Sequence, residues 1–175
     1  PEEPEVTLAL AQRLGFKASV PPPDFAPTEH FDRVVANLAD DDLRAVLADR
    51  WLEAGNEQGE LIALQLREKR GESKPGDLER IKTLLHYGER HWLGDLAVAT
   101  RGRVYDRGLL DSCELSPEAA LTKARWKDAA HDPRLGTIRT LKRGPELGPY
   151  WTFVTSPAMK NLEAADVWSA WCVDD

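Results

Sequence analysis

The chain has 175 residues, 42 % hydrophobic and 30 % charged, with a formal net charge of −7 and a pI near 5.2. That length suits one domain, or one domain with an appended array, and buries about two thirds of its unfolded surface without a disulfide or metal. The acidic balance argues against nucleic acid or an anionic membrane as the main partner, and no apolar run approaches the roughly 18–20 residues of a membrane span.

Cys113 and Cys172 are the only cysteines, far apart and without metal-ligand spacing, which reads as reduced thiols in a cytoplasmic protein. No signal-peptide pattern is visible. A start at Pro1 without methionine and a finish in Trp171-Cys172-Val173-Asp174-Asp175 read as a piece of a longer polypeptide.

Residues 1–27 read as an arm and linker: Val6, Leu8, Leu10, Ala11 and Leu14 suggest a short helix stopped by Gly15, and Pro21-Pro22-Pro23 is a stiff connector. Residues 28–107 read as a helical body. Thr28 is positioned to cap a helix whose Phe31, Val34, Val35 and Leu38 share a face. Asp40-Asp41-Asp42 suits a helix start, where carboxylates complement the dipole; a cation site would need a second ligand cluster.

The next helix has its apolar face at Leu43, Val46, Leu47 and Trp51. Gly55 closes it as a left-handed C′ residue. A returning helix then carries Leu61, Ile62, Leu64 and Leu66. After the polar turn Gly71–Gly76, Asp77 is positioned to cap a helix with Leu78, Ile81, Leu84, Leu85 and Trp92 inward. His86 and His91, five residues apart, fall on different faces and lack metal-ligand spacing.

From residue 108 to 175 the texture becomes strand-like. Three segments share a Leu-x-x-Leu-x-Leu pattern: Leu110-x-x-Cys113-x-Leu115, Leu135-x-x-Ile138-x-Thr140 and Met159-x-x-Leu162-x-Ala164, starting 25 and 24 residues apart. This spacing lies within the roughly 20–29 residues of leucine-rich repeats. Between them, Pro117 to Ala130 reads as helical, with Leu121, Ala124, Trp126 and Ala129 apolar, and Tyr150–Val154 as a short helix. The expected class is α+β, with a helical bundle capping a short, degenerate, leucine-rich-repeat-like parallel sheet in a solenoid; a compact α+β domain is the alternative.

Stacking would turn Ser112, Glu114, Ser116, Thr137, Arg139, Leu141, Asn161, Glu163 and Ala165 outward, with Arg139 between Glu114 and Glu163. The triplet reads either as a cross-strand ion pair worth about 0.2–1 kcal/mol or as a mixed-charge recognition stripe. Of six tryptophans, Trp51 and Trp92 fall in apolar helical phase, whereas Trp151, Trp168 and Trp171 suit loop cover or partner anchors. The expected partner-binding set is therefore Glu114, Arg139, Leu141, Glu163, Trp151, Trp168 and Trp171.

No nucleophile elbow, Cys–His signature or phosphate loop is present. A Glu57–Glu60 acid–base pair is outweighed by the value of Glu60 at a helix start. Composition and motifs thus point to a non-enzymatic protein-binding or scaffolding module without cofactor. The alternative is a regulatory or adaptor segment of a larger multidomain protein.

LADRWLEAGNEQGELIALQL resembles the signature of the bacterial repeat-companion domain family, roughly ADWLxERGDPRGEFIxLQ, through Asp49, Leu52, Gly55, Gly59, Glu60, Ile62, Leu64 and Gln65. Leu84-Leu85 with His91-Trp92-Leu93-Gly94-Asp95-Leu96-Ala97 resembles its LLxxHxxxWLGPLA, and Arg107-Gly108-Leu109-Leu110 its RGFL. The departures, Asn56-Glu57-Gln58 and Asp95, lie in turns. The resemblance covers about residues 35–115. It implies a domain that accompanies leucine-rich-type repeats and acts as an interaction scaffold, with no catalytic activity attached.

Overall fold

A computed structural model describes residues 28–116, 122–142 and 147–165. Within them the class is α+β: seven α-helices and an open, mixed, four-stranded sheet. Helix α1 (Glu29–Ala36) is capped by Thr28, whose Oγ1 accepts from the Phe31 N–H at 3.2 Å. It buries Phe31, Val34 and Val35, as the 3.6-residue spacing predicts. Helix α2 (Asp41–Glu53) is capped by Asp40, which accepts from the N–H groups of Asp42 and Leu43.

The inward face of α2 is rotated from the expected one. Arg44, Leu47, Ala48 and Trp51 are buried, while Val46 is 44 % exposed. Helix α3 (Gln58–Arg70) buries Leu61, Ile62, Leu64 and Leu66 and packs tightly on α2: a Cβ at Gly59 would lie 2.5 Å from the Ala48 carbonyl. Helix α4 (Asp77–Leu93) buries Ile81, Leu84 and Trp92, but Leu78 is exposed and Asp77 is its first residue rather than its cap. Its carboxylate instead accepts from the Lys74 N–H and from Arg67.

A short helix, α5 (Asp95–Ala99), leads into strand β1 (Thr100–Asp106), which pairs antiparallel with β2 (Leu109–Leu115). Sequence periodicity places residues 100–107 in the helical body; the structure makes them the first strand, so a boundary at 107/108 passes through a β-hairpin. Its two-residue turn, Arg107-Gly108, has φ of 49° and 77°. Two positive φ values match the turn to the right-handed strand twist, at a cost for a non-glycine residue.

Helix α6 (Lys123–Ala130) is capped by Thr122, and Pro117 and Leu121 lie outside the described residues. A 3₁₀ turn at Pro133–Thr137 precedes β3 (Thr140–Lys142), helix α7 (Leu147–Val154) and β4 (Ala164–Ala165). The sheet order is β1-β2-β3-β4, with β2, β3 and β4 successive parallel neighbours.

Their register corrects the aligned pattern. Ser112 pairs with Thr140 and Thr140 with Ala164, spacings of 28 and 24. Leu141 rather than Thr140 enters the core: it is fully buried with Leu135 and Ile138. Two successive N–H groups, those of Glu163 and Ala164, donate to the one Arg139 carbonyl at 2.8 and 3.0 Å. That is the hydrogen-bond mark of an extra residue on the donating strand, and there Leu162 and Ala165, three apart, both pack on the cluster.

Three apolar clusters meet at the hairpin. Phe31, Val34, Val35, Leu47, Trp51, Ile62 and Leu66 pack with Leu109, whereas Leu110 joins Cys113, Leu115, Leu135, Ile138 and Leu141 beneath the sheet. The third cluster joins α3 to Ile81, Leu84 and Trp92 of α4. Adjacent residues of β2 thus serve different cores. A Cβ at Gly108 would meet the Ile62 backbone at 2.5–2.6 Å. Gly108→Ala is expected to cost at least about 2 kcal/mol, against about 1 kcal/mol for Gly71→Ala, where φ is similar and no atom lies within 4 Å. Urea midpoints of the two variants measure the difference, and equal costs would remove the steric account.

Candidate functional site

The outer face of the sheet is built by strand alternation. Cys113, Leu141 and Ala165 pack with the cluster on one side, so Ser112, Thr140 and Ala164 point to the other, Ser112 buried, Thr140 half-buried and Ala164 exposed. Pairing with β1 extends this row to Val104, which is 47 % exposed. The neighbouring row is Arg101, Glu114 and Lys142. Small and β-branched side chains thus form a flat strip beside a charged one. Arg101 Nε donates to Glu114 at 3.0 Å.

Arg139 does not lie between Glu114 and Glu163. Its Nε donates to Asp111 at 2.6 Å, and its Nη2 lies 3.5 Å from Asp106. Asp106 also accepts from Arg107 at 2.6 and 3.0 Å; Arg107 reaches Asp41 at 2.7 Å, and Asp41 takes Lys69 at 2.7 Å. This chain of charges runs from Arg139, just before β3, through the hairpin turn to α2 and α3. Arg139 is therefore held in a structural network through Asp111 and Asp106, in place of the expected triplet with Glu114 and Glu163.

Of the other expected partner-binding residues, Glu163 is exposed and has no ion pair among the described residues. Trp151 is 46 % exposed on α7. Leu141 is excluded from any surface because it is fully buried. Trp168 and Trp171 lie outside the described residues.

Sequence reasoning missed the polar groups that hold the turn in place. Arg44, 2 % exposed, donates from Nε and Nη2 to the Leu38 carbonyl and from Nη1 to those of Asp106 and Arg107. Burial, with Arg107 close by, pulls its pKa down to about 10, so it stays charged at neutral pH. Gln58 donates to the Gly108 carbonyl at 3.1 Å, and Gln65 accepts from its N–H at 2.6 Å. Beyond the motif positions Gln65 and Gly108, the hint was the seven-residue spacing of two glutamines in an apolar stretch, which sets them on one helix face.

The described residues do not assemble nucleophilic chemistry. Burial pushes the Cys113 thiol up to about 12, so it is protonated at neutral pH. Glu60, imagined as half of an acid–base pair, binds Arg80 through both carboxylate oxygens. No group of three or more potential metal-ligating side chains occurs, and no helix is long and apolar enough to cross a membrane, among the described residues. The chain matches no family model, no curated protein and no solved structure.

Burial tends to raise the Asp106 pKa, but the hydrogen bond and charge of Arg107, with Arg44 and Arg139, outweigh it and hold the carboxyl below its ordinary 3.8. A depressed folded pKa stabilises above the unfolded value and is lost as pH falls through the folded one. Asp106→Asn is expected to cost about 1 kcal/mol at pH 7, limited by solvent screening of a partly exposed group. Its deficit against wild type should shrink as pH falls below about 4. Urea titrations at pH 7 and pH 3 read this directly, and a deficit independent of pH would refute it.

Proposed function

We propose that this chain is a non-catalytic, cytoplasmic protein-recognition module. Its helical body closes one end of a leucine-rich-repeat-like stack, and the outer sheet face meets a protein partner. The observation that supports the reading is the parallel order of three successive strands. Strands β2, β3 and β4 are consecutive parallel neighbours at intervals of 28 and 24 residues. Each, together with the residues just before β3 and β4, brings an apolar triad to the same cluster: Leu110, Cys113 and Leu115; Leu135, Ile138 and Leu141; Met159, Leu162 and Ala165. Both intervals fall in the range of repeat units that cannot bury an apolar face alone.

Membership of the repeat-companion family is part of the same proposal. Its support is that four residues from the quoted motifs, Ile62, Gln65, Arg107 and Gly108, meet at the hairpin turn. The helical body and β1 would then serve as the end cap that an open stack requires. The outer row suits contact because its short side chains allow close approach, with charge alongside to give orientation.

Val104→Arg and Lys142→Glu change this face at partly exposed positions without touching the core. Each tagged variant, folded by circular dichroism, is expected to recover about tenfold less partner in a pull-down than wild type. Equal recovery by wild type and both variants would sink the proposed face.

A further inference from the structure

A second surface, sharing no residue with the sheet face, is built where three distant segments converge. Helix α1 contributes Asp32 and Val35, the corner after α6 contributes His131 and Pro133, and the return before β4 contributes Pro157 and Lys160. They line a groove of about 240 Å³. Its walls are tied together beneath. Asn161 Nδ2 donates to the Val35 carbonyl at 2.7 Å and to that of Gly136 at 2.6 Å, and Ser156 Oγ donates to the Ala130 carbonyl. The groove is therefore pre-formed, which lowers the ordering cost of filling it.

The floor is apolar and the rim carries opposite charges. Asp32 and Lys160 are both exposed, and neither makes an ion pair among the described residues. They line the same groove without closing on each other. His131 Nδ1 lies 2.7 Å from the Lys127 carbonyl. A carbonyl only accepts, so Nδ1 carries the hydrogen and Nε2 is the ring nitrogen left for a ligand. The volume falls below the roughly 300–1,000 Å³ of small-molecule and cofactor pockets, and suits a single large side chain.

We propose that the groove takes an extended peptide of a protein partner, seating one aromatic side chain on Val35, Pro133 and Pro157. A basic neighbour of that side chain pairs with Asp32, and an acidic one pairs with Lys160, while His131 Nε2 accepts a hydrogen bond from a peptide donor. An aromatic anchor supplies large contact area at low conformational cost, while the flanking charges set orientation more than affinity. This site goes beyond the sheet-face reading and can fail without it.

The probe is acetyl-Lys-Trp-Glu-amide, titrated into the full ¹⁵N-labelled chain. Saturable shifts are expected at the amides of Asp32, Val35, His131 and Lys160, with weaker binding of acetyl-Gln-Trp-Gln-amide. Asp32→Lys and Lys160→Glu should each weaken the charged probe about two- to fivefold, as for exposed ion pairs. Both positions are exposed, so the fold tolerates the exchange. The double variant, with the charges exchanged, should return to within about twofold of wild type, since the open groove then receives the peptide in reverse. Absence of saturable shifts at these amides, or binding indifferent to both single variants, overturns the proposal. Neither result bears on recovery of a partner by the sheet-face variants.

Discussion

One glycine is gripped from both sides by two glutamines of a single helix, and the rest of the molecule is arranged around that grip. Gln58 and Gln65 are seven residues apart on α3, so they project from one face about two turns from each other. One donates to the Gly108 carbonyl and the other accepts from its N–H. Ile62, midway between them, presses its backbone where a Cβ would be. From the other side Arg44 takes the carbonyls of Asp106 and Arg107. A β-hairpin turn that elsewhere faces water is here the most fully satisfied contact between helices and sheet.

Magnitudes say what this contact is for. Each neutral hydrogen bond adds only about 0.5–1.5 kcal/mol net, and the buried guanidinium carries a desolvation cost. The three apolar clusters supply the larger stabilising term, as burial of each large aliphatic or aromatic side chain is worth about 1.5–3 kcal/mol. Apolar packing is non-directional, however, and a one-residue slip of β2 would exchange Leu109 and Leu110 between two cores. The polar grip penalises that slip, because any displaced partner leaves a buried donor or acceptor unpaired at about 1–3 kcal/mol each. Its contribution is to specify register, with stability coming mainly from elsewhere.

Legibility in the sequence follows the same division. Phe31, Val34 and Val35 were readable because nothing competes with helical period on α1. The α2 face was misjudged by the weight given to residue type: Val46 is apolar yet exposed, and Arg44 is charged yet buried because it finds carbonyl acceptors on two other segments. The hairpin was hidden because Arg-Gly is a weak turn signal beside Asn-Gly or Asp-Gly. Arg107 tolerates its positive φ through bonds to Asp106, Asp41 and the Ala39 carbonyl, none adjacent to it in sequence except Asp106. Ile138, just before β3, and Leu141, three residues on, both enter the core, so a period-two reading placed a core leucine on the surface. Local pattern carried the helices, and contacts between distant segments decided everything else.

The same geometry gives the sheet a direction. Strands β1 and β2 have seven residues each, β3 three and β4 two. From β2 onward burial declines: Cys113 and Leu141 are sealed, whereas Leu162 and Ala165 are only half-buried. Every polar tie between helices and turn lies at the β1–β2 end. At the β4 side the visible tie to α1 is Asn161, which donates to the Val35 carbonyl. Local opening takes the route with the fewest buried contacts, so among the described residues the β4 margin yields before the hairpin does. A fold held firmly at one end and lightly at the other keeps the outer row of β1 and β2 rigid while leaving its far strand adjustable, and surfaces of that kind can meet a partner without remaking the core.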